Sequence, residues 1–588
     1  MKEDQKNFLL FAVIAGLLLF AWPAITSWLF PTPPATTVTK AADGAPKVVP
    51  NPGADPTADT PQAIRDRNSV LRETPRIAIE TPTVRGSLNL KGARIDDLVL
   101  VKHKETIAKG SDPIRLLSPS GTRDAYFAGF GWTGQGINAP GPDTVWTASG
   151  SKLTPTTPVT LTATSGTQRF AIELSVDDGY MFTVRQKVAN LGQKAIAAAG
   201  YGYLYRYGAG KDIDTWTIHA GPVASYGGAV DYGVNYDTVK DEGTQRFDAK
   251  GGWIGYTDIY WLTALVPDQG RPVSLSFRPG AGTATQAQFE PTTARQIAPG
   301  QVMTQTTRFF AGAKDINLLD DYEEKGGIHH FGKAIDWGWF EVFEKPIFHY
   351  LHWLFRMVGN FGLAIILLTV TVRLLLFPIA QKQFASMAAM RALQPKMKAL
   401  QDRYKDDKPR QQQEIMKLYK DEKVNPLAGC LPTLLQIPIL YALYKVLMLS
   451  IEMRHQPLVL WVKDLSAPDP ANLVNLVHYL TGIQLPMFLA LGVFPILLGV
   501  SMWAQFKLNP APTDEVQKQM FAIMPWILMF VMAPFAAGLQ LYWITSNLLT
   551  IAQQKFLYMR HPALKEPLPA SGTVIDAPPT PKSGKGKK

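Results

Sequence analysis

Arg373 stands in the middle of LLTVTVRLLLFPIA and is the single charge between Phe361 and Ala380. A guanidinium at the centre of a membrane helix costs roughly 2.5–3.5 kcal/mol on insertion scales, so it is expected to face a partner or a wet cavity. No Asp or Glu occurs in any of the other long apolar runs. The charge therefore has no counter-ion of its own at that depth, and in a hydrated pocket it would attract a transient anionic visitor. The competing reading is an arginine held by backbone carbonyls as structural glue. Thr369 lies four residues earlier, on the same helix face. Gln436 interrupts another apolar run, and Tyr542, Trp543, Ser546 and Asn547 cluster at helical spacings. Such hydroxyls and amides also serve simply to pack helices. Together with Arg373 they outline a candidate groove of Arg373, Thr369, Gln436, Tyr542, Trp543 and Ser546.

Other chemistries find little support. A proton-coupled transporter needs a carboxylate or histidine at membrane depth, and the apolar runs hold neither. An anion-binding multi-span transporter using Arg373 remains the alternative. The chain has no GxxxxGK[ST], HExxH or GxSxG motif. Its one cysteine, Cys430, excludes an intramolecular disulfide and paired-cysteine zinc sites. Between Pro75 and Asp320 the only histidines are His103 and His219, too few to suggest acid–base catalysis. No catalytic residue, cofactor or metal is expected, although a sandwich enzyme of the mutarotase type is the rival reading for that segment.

The elements that must position the groove are legible as composition shifts. Phe8 to Phe30 is 23 residues without a charge, enough to cross about 30 Å of hydrocarbon as a retained anchor over residues 1–30. Residues 31–74 form a Pro/Ala/Thr-rich flexible linker, with eight prolines between Pro31 and Pro61. Residues 75–325 alternate in short period-two runs broken by Gly, Asp and Pro, which predicts a large all-β sandwich. The aromatic stretch 334–357 is interrupted by Glu341, Glu344 and Lys345, and predicts an amphipathic helix in the interface plane, with Pro346 at its start or kinking it. Five further apolar runs in 358–557 bring the expected spans to six. Residues 381–426 between them predict a helical hairpin whose seam includes Leu393, Met397, Leu400 and Tyr404. The methionines Met387, Met390, Met397 and Met416 either fill that seam or offer an adaptable surface.

Charge sets the orientation. Gln381 to Pro426 carries eleven Lys/Arg against six acids, and the tail from Arg560 carries six against two. Both are expected in the cytoplasm by the positive-inside rule, which then puts both termini there and the β domain in the periplasm. The net charge of +11 fits this bias. It also fits an anionic partner for the basic tail 558–588, such as ribosomal RNA or lipid headgroups.

The runs TVRLLLFPIAQKQFASMAAMRALQPKMKAL and DDKPRQQQEIMKLYKDEKVNPLAGCLPTLLQIPILYALYKVL, followed by LWVKDLSAPDP and GLQLYWITSNLLTIAQQ, closely resemble the YidC family of membrane insertases. The resemblance covers the C-terminal 200 residues or so; in the β domain it rests mainly on position and pattern. It implies five helices around a hydrophilic groove open to cytoplasm and lipid, and a periplasmic β-supersandwich as in the Gram-negative form. Arg373, Thr369 and the pair Tyr542–Trp543 correspond to the family's groove arginine, threonine and aromatics; the second aromatic is tyrosine in some members. It further implies nascent membrane proteins as clients, delivered with the Sec translocon or without it, ribosome contact through basic cytoplasmic regions, and an inner-membrane location.

Overall fold

Alternation becomes sheet where it is strongest. In the strand Gln168–Val176 the buried residues are Gln168, Phe170, Ile172, Leu174 and Val176, one side of a pleat whose side chains point alternately to opposite faces. The computed structural model describes residues 64–560 except 211, 213–217, 339–340, 406, 423–430, 459–460, 473, 476–479, 482–490 and 509–514. The predicted anchor, most of the linker and the basic tail lie outside the described residues. Two compact units emerge: residues 64–345 with 445–455, and residues 346–444 with 456–560.

The first unit holds two sheets and three short helices, α1 (Arg67–Arg72), α2 (Tyr236–Glu242) and α3 (Ile316–Glu324). One sheet of eleven strands is centred on Ile196–Tyr207, flanked by Tyr126–Thr133 and Ala284–Pro291. The other, of nine strands, is centred on Val302–Ala313, flanked by Trp261–Val266 and Met181–Asn190. Phe127, Phe170, Phe182, Phe289 and Phe309 fill the core, all essentially inaccessible to water. Two amides cross between the sheets. Gln186 Nε2 donates to the Gly131 carbonyl (2.7 Å), and Gln305 Nε2 donates to the Gly200 carbonyl (2.7 Å) while its Oε1 accepts the Gly200 N–H (3.0 Å). A Cβ on Gly200 would stand 3.0 Å from the Gln186 side chain, so glycine keeps that approach open.

The second unit is helical. Helix α4 (Glu341–Val358) begins later than the predicted 334, because a short 3-10 turn at Gly332–Ala334 ends in extended backbone at Ile335. Pro346 sits inside α4, beyond its first turn, so the helix bond from that position to the Val342 carbonyl is lost. Then follow α5 (Phe361–Leu375), α6 (Phe377–Arg403), α7 (Lys408–Asp421), α8 (Leu431–Leu449), α9 (Val493–Leu508), α10 (Glu515–Met532) and α11 (Ala537–Arg560). Helices α9, α10 and α11 pack together, and α11 also packs on α5.

The sequence predicts six spans, of which the N-terminal anchor lies outside the described residues. Among the described residues no helix is both long and apolar enough to cross a membrane. The physical reason is visible in the sequence. The uncharged run around Arg373 is divided at Leu376, whose φ of −84° and ψ of −3° end α5, and Pro378 lies at the start of α6, where proline suits a helix's first turn. At the other end of the unit, α10 opens on Glu515 and α11 runs on into Gln553, Gln554 and Lys555.

Helices α6 and α7 pack on each other, and α6 starts at Phe377. Leu393 and Met397 are buried, and the Tyr419 hydroxyl donates to Met397 Sδ at 2.9 Å. Met416 is exposed, and the side chains of Met387 and Met390 lie outside the described residues.

Candidate functional site

Helix α5 is pinned at its start. Asn360 caps it by accepting the Leu363 N–H (3.0 Å), and its amide donates to the Leu458 carbonyl (2.8 Å). Gly362 lets the first turn press on the Leu458 side chain, where a Cβ would collide at 1.9 Å. From that start, Phe361, Ala364, Ile365, Leu368 and Thr369 form the buried face, and Arg373 follows one turn after Thr369 on the same side.

Arg373 is half-buried, and its Nη2 donates to the Ser546 hydroxyl on α11. Among the described residues no carboxylate pairs with it. Its place in the last turn of α5 also sets the charge near the negative end of the helix dipole. Thr369 is buried and spends its hydroxyl on its own helix, donating to the Ile365 carbonyl at 2.7 Å. Thr371 does likewise to Leu367 (3.0 Å) and meets the Tyr350 hydroxyl of α4 at 3.0 Å.

On α11, Tyr542 and Ser546 are one turn apart and both buried; Tyr542 lies within electrostatic reach of Arg373. Trp543 is half-buried on the next position. Gln436 belongs to α8, and its side chain is outside the described residues. The structure thus joins Arg373 to Ser546 and sets Tyr542 beside them, while the Thr369 hydroxyl turns back into α5.

Sequence reasoning missed two supports. Asn547 donates to the Ser501 hydroxyl on α9 (3.0 Å), and Ser501 in turn donates to the Leu498 carbonyl (2.9 Å). The lone serine in an uncharged run was the available signal. Asp469, within the LWVKDLSAPDP motif, is 2% exposed and accepts the Trp461 indole N–H (3.0 Å) and the N–H groups of Ala471 (2.9 Å) and Phe494 (2.8 Å). It fixes the start of α9, the helix that carries Ser501.

Around this polar interior the surface is apolar. Ile496, Leu497, Val500 and Trp503 on α9, Ile523, Trp526, Ile527, Phe530 and Val531 on α10, and Leu374 and Leu375 on α5 are all exposed. Their spacings trace helix faces. In the same unit Thr369, Ser501, Gln540, Ser546 and Asn547 are buried. A soluble domain does the reverse; an apolar exterior around buried polar groups suits a lipid surround.

The histidines of the β domain are engaged elsewhere. His103 packs edge-on to Trp261 at 5.2 Å, and a His219 ring nitrogen meets the Pro222 carbonyl at 2.7 Å. Among the described residues no group of three or more His, Cys, Asp or Glu is placed to hold a metal.

Comparison with known proteins gives two family matches. Residues 353–564 match the family described as 60Kd inner membrane protein, and residues 76–350 match the YidC periplasmic domain. The chain is 44% identical over 573 residues to the membrane protein insertase YidC of Zymomonas mobilis, covering 96% of this chain and 97% of that one. It belongs to the YidC family. The YidC insertase of Beijerinckia indica is 41% identical over 583 residues, covering 95% and 96% of the two chains. A crystal structure titled as an active YidC insertase with its first transmembrane domain resolved shares 20% identity at a TM-score of 0.36, over 84% of this chain and 94% of that one. The family assignment rests on the sequence relatives. It carries with it an inner-membrane location and an all-β domain ahead of the helical unit.

Proposed function

We propose that this chain inserts membrane proteins by receiving polar client segments at Arg373 while their apolar segments pass sideways into lipid. The observation that carries the reading is a half-buried guanidinium joined to a serine hydroxyl, with no acid beside it among the described residues, in a unit whose outer faces are apolar. The serine is neutral, so the positive charge stays available to the acidic residues or dipoles of a client's terminus or hairpin.

Length strengthens the case. Helix α5 has 15 residues, about 22 Å at 1.5 Å per residue, against about 30 Å of hydrocarbon in an average bilayer. Short apolar elements thin the membrane around them, and a thinner barrier lowers the cost of moving a polar segment across. Burial of the client's own apolar span then supplies the free energy, with no nucleotide required.

In this reading the apolar runs of 358–557 and the anchor in 1–30 make six spans, α4 lies along the outer interface, and the β domain sits in the periplasm. The α6–α7 hairpin and the basic tail face the cytoplasm. There they meet the ribosome and the anionic lipid surface, and the Sec translocon is a partner for larger clients. Thr369, Gln436, Tyr542, Trp543 and Ser546 line the groove with Arg373.

The test is insertion of a client with an acidic N-terminal tail into vesicles reconstituted with purified protein. Arg373→Ala should reduce insertion to the protein-free level, and Arg373→Lys should restore part of it. Undiminished insertion by the alanine variant would remove Arg373 from the mechanism.

A further inference from the structure

The β domain carries a basic recess that the insertion reaction does not use. It has a volume of about 420 Å³ and lies between the turn 267–271, the middle of the strand Val302–Ala313 and the glycines Gly326 and Gly327. Three arginines line it, Arg271, Arg295 and Arg308, against one acid, Asp268. Arg308 rises from the strand and donates to the Gly326 carbonyl at 2.7 Å. Arg295 reaches the same strand by donating to the Thr304 carbonyl at 3.3 Å. Neither has a carboxylate partner, and Arg271 has no side-chain partner among the described residues. Asp268 already accepts the Gly270 N–H at 3.0 Å. Two strands away, Glu173 is taken by Lys187 on the intervening strand. Burial lowers the Arg308 pKa and no acid offsets it. The recess therefore carries an excess of positive charge, three guanidinium groups against one carboxylate, with no arginine–carboxylate pair inside it among the described residues.

The chemistry of that charge and the strand beneath it select the guest. Thr304 and Arg308 are four residues apart on one strand, so their Cα atoms stand about 13 Å apart at 3.3 Å per residue. An extended peptide repeats same-side positions with the same rise, so its positions i and i+4 fall the same distance apart. The guanidinium forks match carboxylates in pairs of hydrogen bonds, and the exposed Thr304 and Thr306 also line the recess.

We propose that this recess binds an extended acidic peptide segment, with carboxylates seated at Arg308 and at Arg295. The chemistry suits an acidic stretch of a client or of a partner protein outside the groove. This goes beyond the insertion reading and stands independently of Arg373.

The experiment uses the full chain in lipid nanodiscs and a fluorescent peptide of alternating Glu and Thr, followed by anisotropy. The peptide should bind, and its Gln-Thr counterpart should not. Arg295→Gln and Arg308→Gln should each weaken binding about tenfold, as expected for loss of a charge-assisted hydrogen bond. Arg295 is exposed, so its variant remains informative even where Arg308→Gln perturbs folding. The control Lys102→Gln with Lys250→Gln, at exposed positions outside the recess, should leave binding unchanged. Equal loss in that control would reduce the effect to general surface charge and overturn the proposal. Wild-type binding by Arg295→Gln would do the same. Displacement of the peptide by inorganic phosphate, where chloride of equal ionic strength has no effect, would assign the recess to a phosphate group instead.

Discussion

Two ionisable groups drawn away from bulk water are partnered differently by the fold. Arg373 keeps a hydroxyl partner, so its charge is solvated by the fold. Glu344 is fully buried, and neither of its carboxyl oxygens has a hydrogen-bond partner among the described residues. Burial pushes its pKa up to about 8, although the Lys445 ammonium pulls the other way. Lys445 is itself buried and committed elsewhere, donating to the Asp336 carbonyl at 2.6 Å with the Asp336 carboxylate 3.6 Å away. The sign follows from linkage. The unfolded carboxyl, with its ordinary value of 4.5, ionises long before the folded one at about 8. Stability from neutral Glu344 is therefore complete below that lower value and is lost as pH rises towards 8. Glu344→Gln should flatten the fall in thermal midpoint between pH 5 and 8 and raise the midpoint at pH 8. A variant that tracks the wild-type profile would show that Glu344 is already ionised in the folded chain.

At the scale of elements, the sequence revealed type better than extent. Period-two runs such as Phe170 to Val176 became strands because one face is wet and the other is not. The central strand Ile196–Tyr207 hid its orientation, since it is buried along all but its last residue and alternation vanishes when both faces are covered. The inter-sheet bridges from Gln186 and Gln305 were equally illegible, because a polar side chain inside a sandwich is explained only by the backbone it meets. In the helical unit the lone charge announced Arg373, and spacing announced Ser546. Ser501 and Asn547 meet only because α9 and α11 rotate their faces together, which depends on packing. The end of α5 at Leu376 was foreshadowed by Pro378 yet masked by the surrounding apolar residues. Caps are local and hence testable. Asp407 accepts the Arg410 N–H at 3.1 Å at the start of α7, so Asp407→Ala should cost about 1 kcal/mol of helix stability. Faster amide exchange across Lys408–Asp421, with α6 unchanged, is the expected readout; uniform exchange rates would show that the hairpin seam alone holds α7.

For the whole molecule, orientation is the property that composition constrains most. Basic residues crowd the segment 381–426 and the tail, whereas the loop Ile451 to Gln484 has only Arg454 and Lys463. Protease added to spheroplasts should therefore degrade the β domain while an epitope after Arg560 survives, and inverted vesicles should give the opposite pattern. Loss of the tail epitope in intact spheroplasts would reverse the proposed topology. The division into two compact units fits this split, with a sheet-rich domain in one and a polar-lined interior in the other.

The tether at Asn360 limits how a passage beside Arg373 can widen. One amide side chain both starts α5 and grips the Leu458 carbonyl, and Gly362 leaves no slack against the Leu458 side chain. That end of the helix is the pinned one. In the proposed insertion any parting of α5 from α11 would open at the opposite end, around Leu374 and Leu375, like jaws with the arginine near their tips.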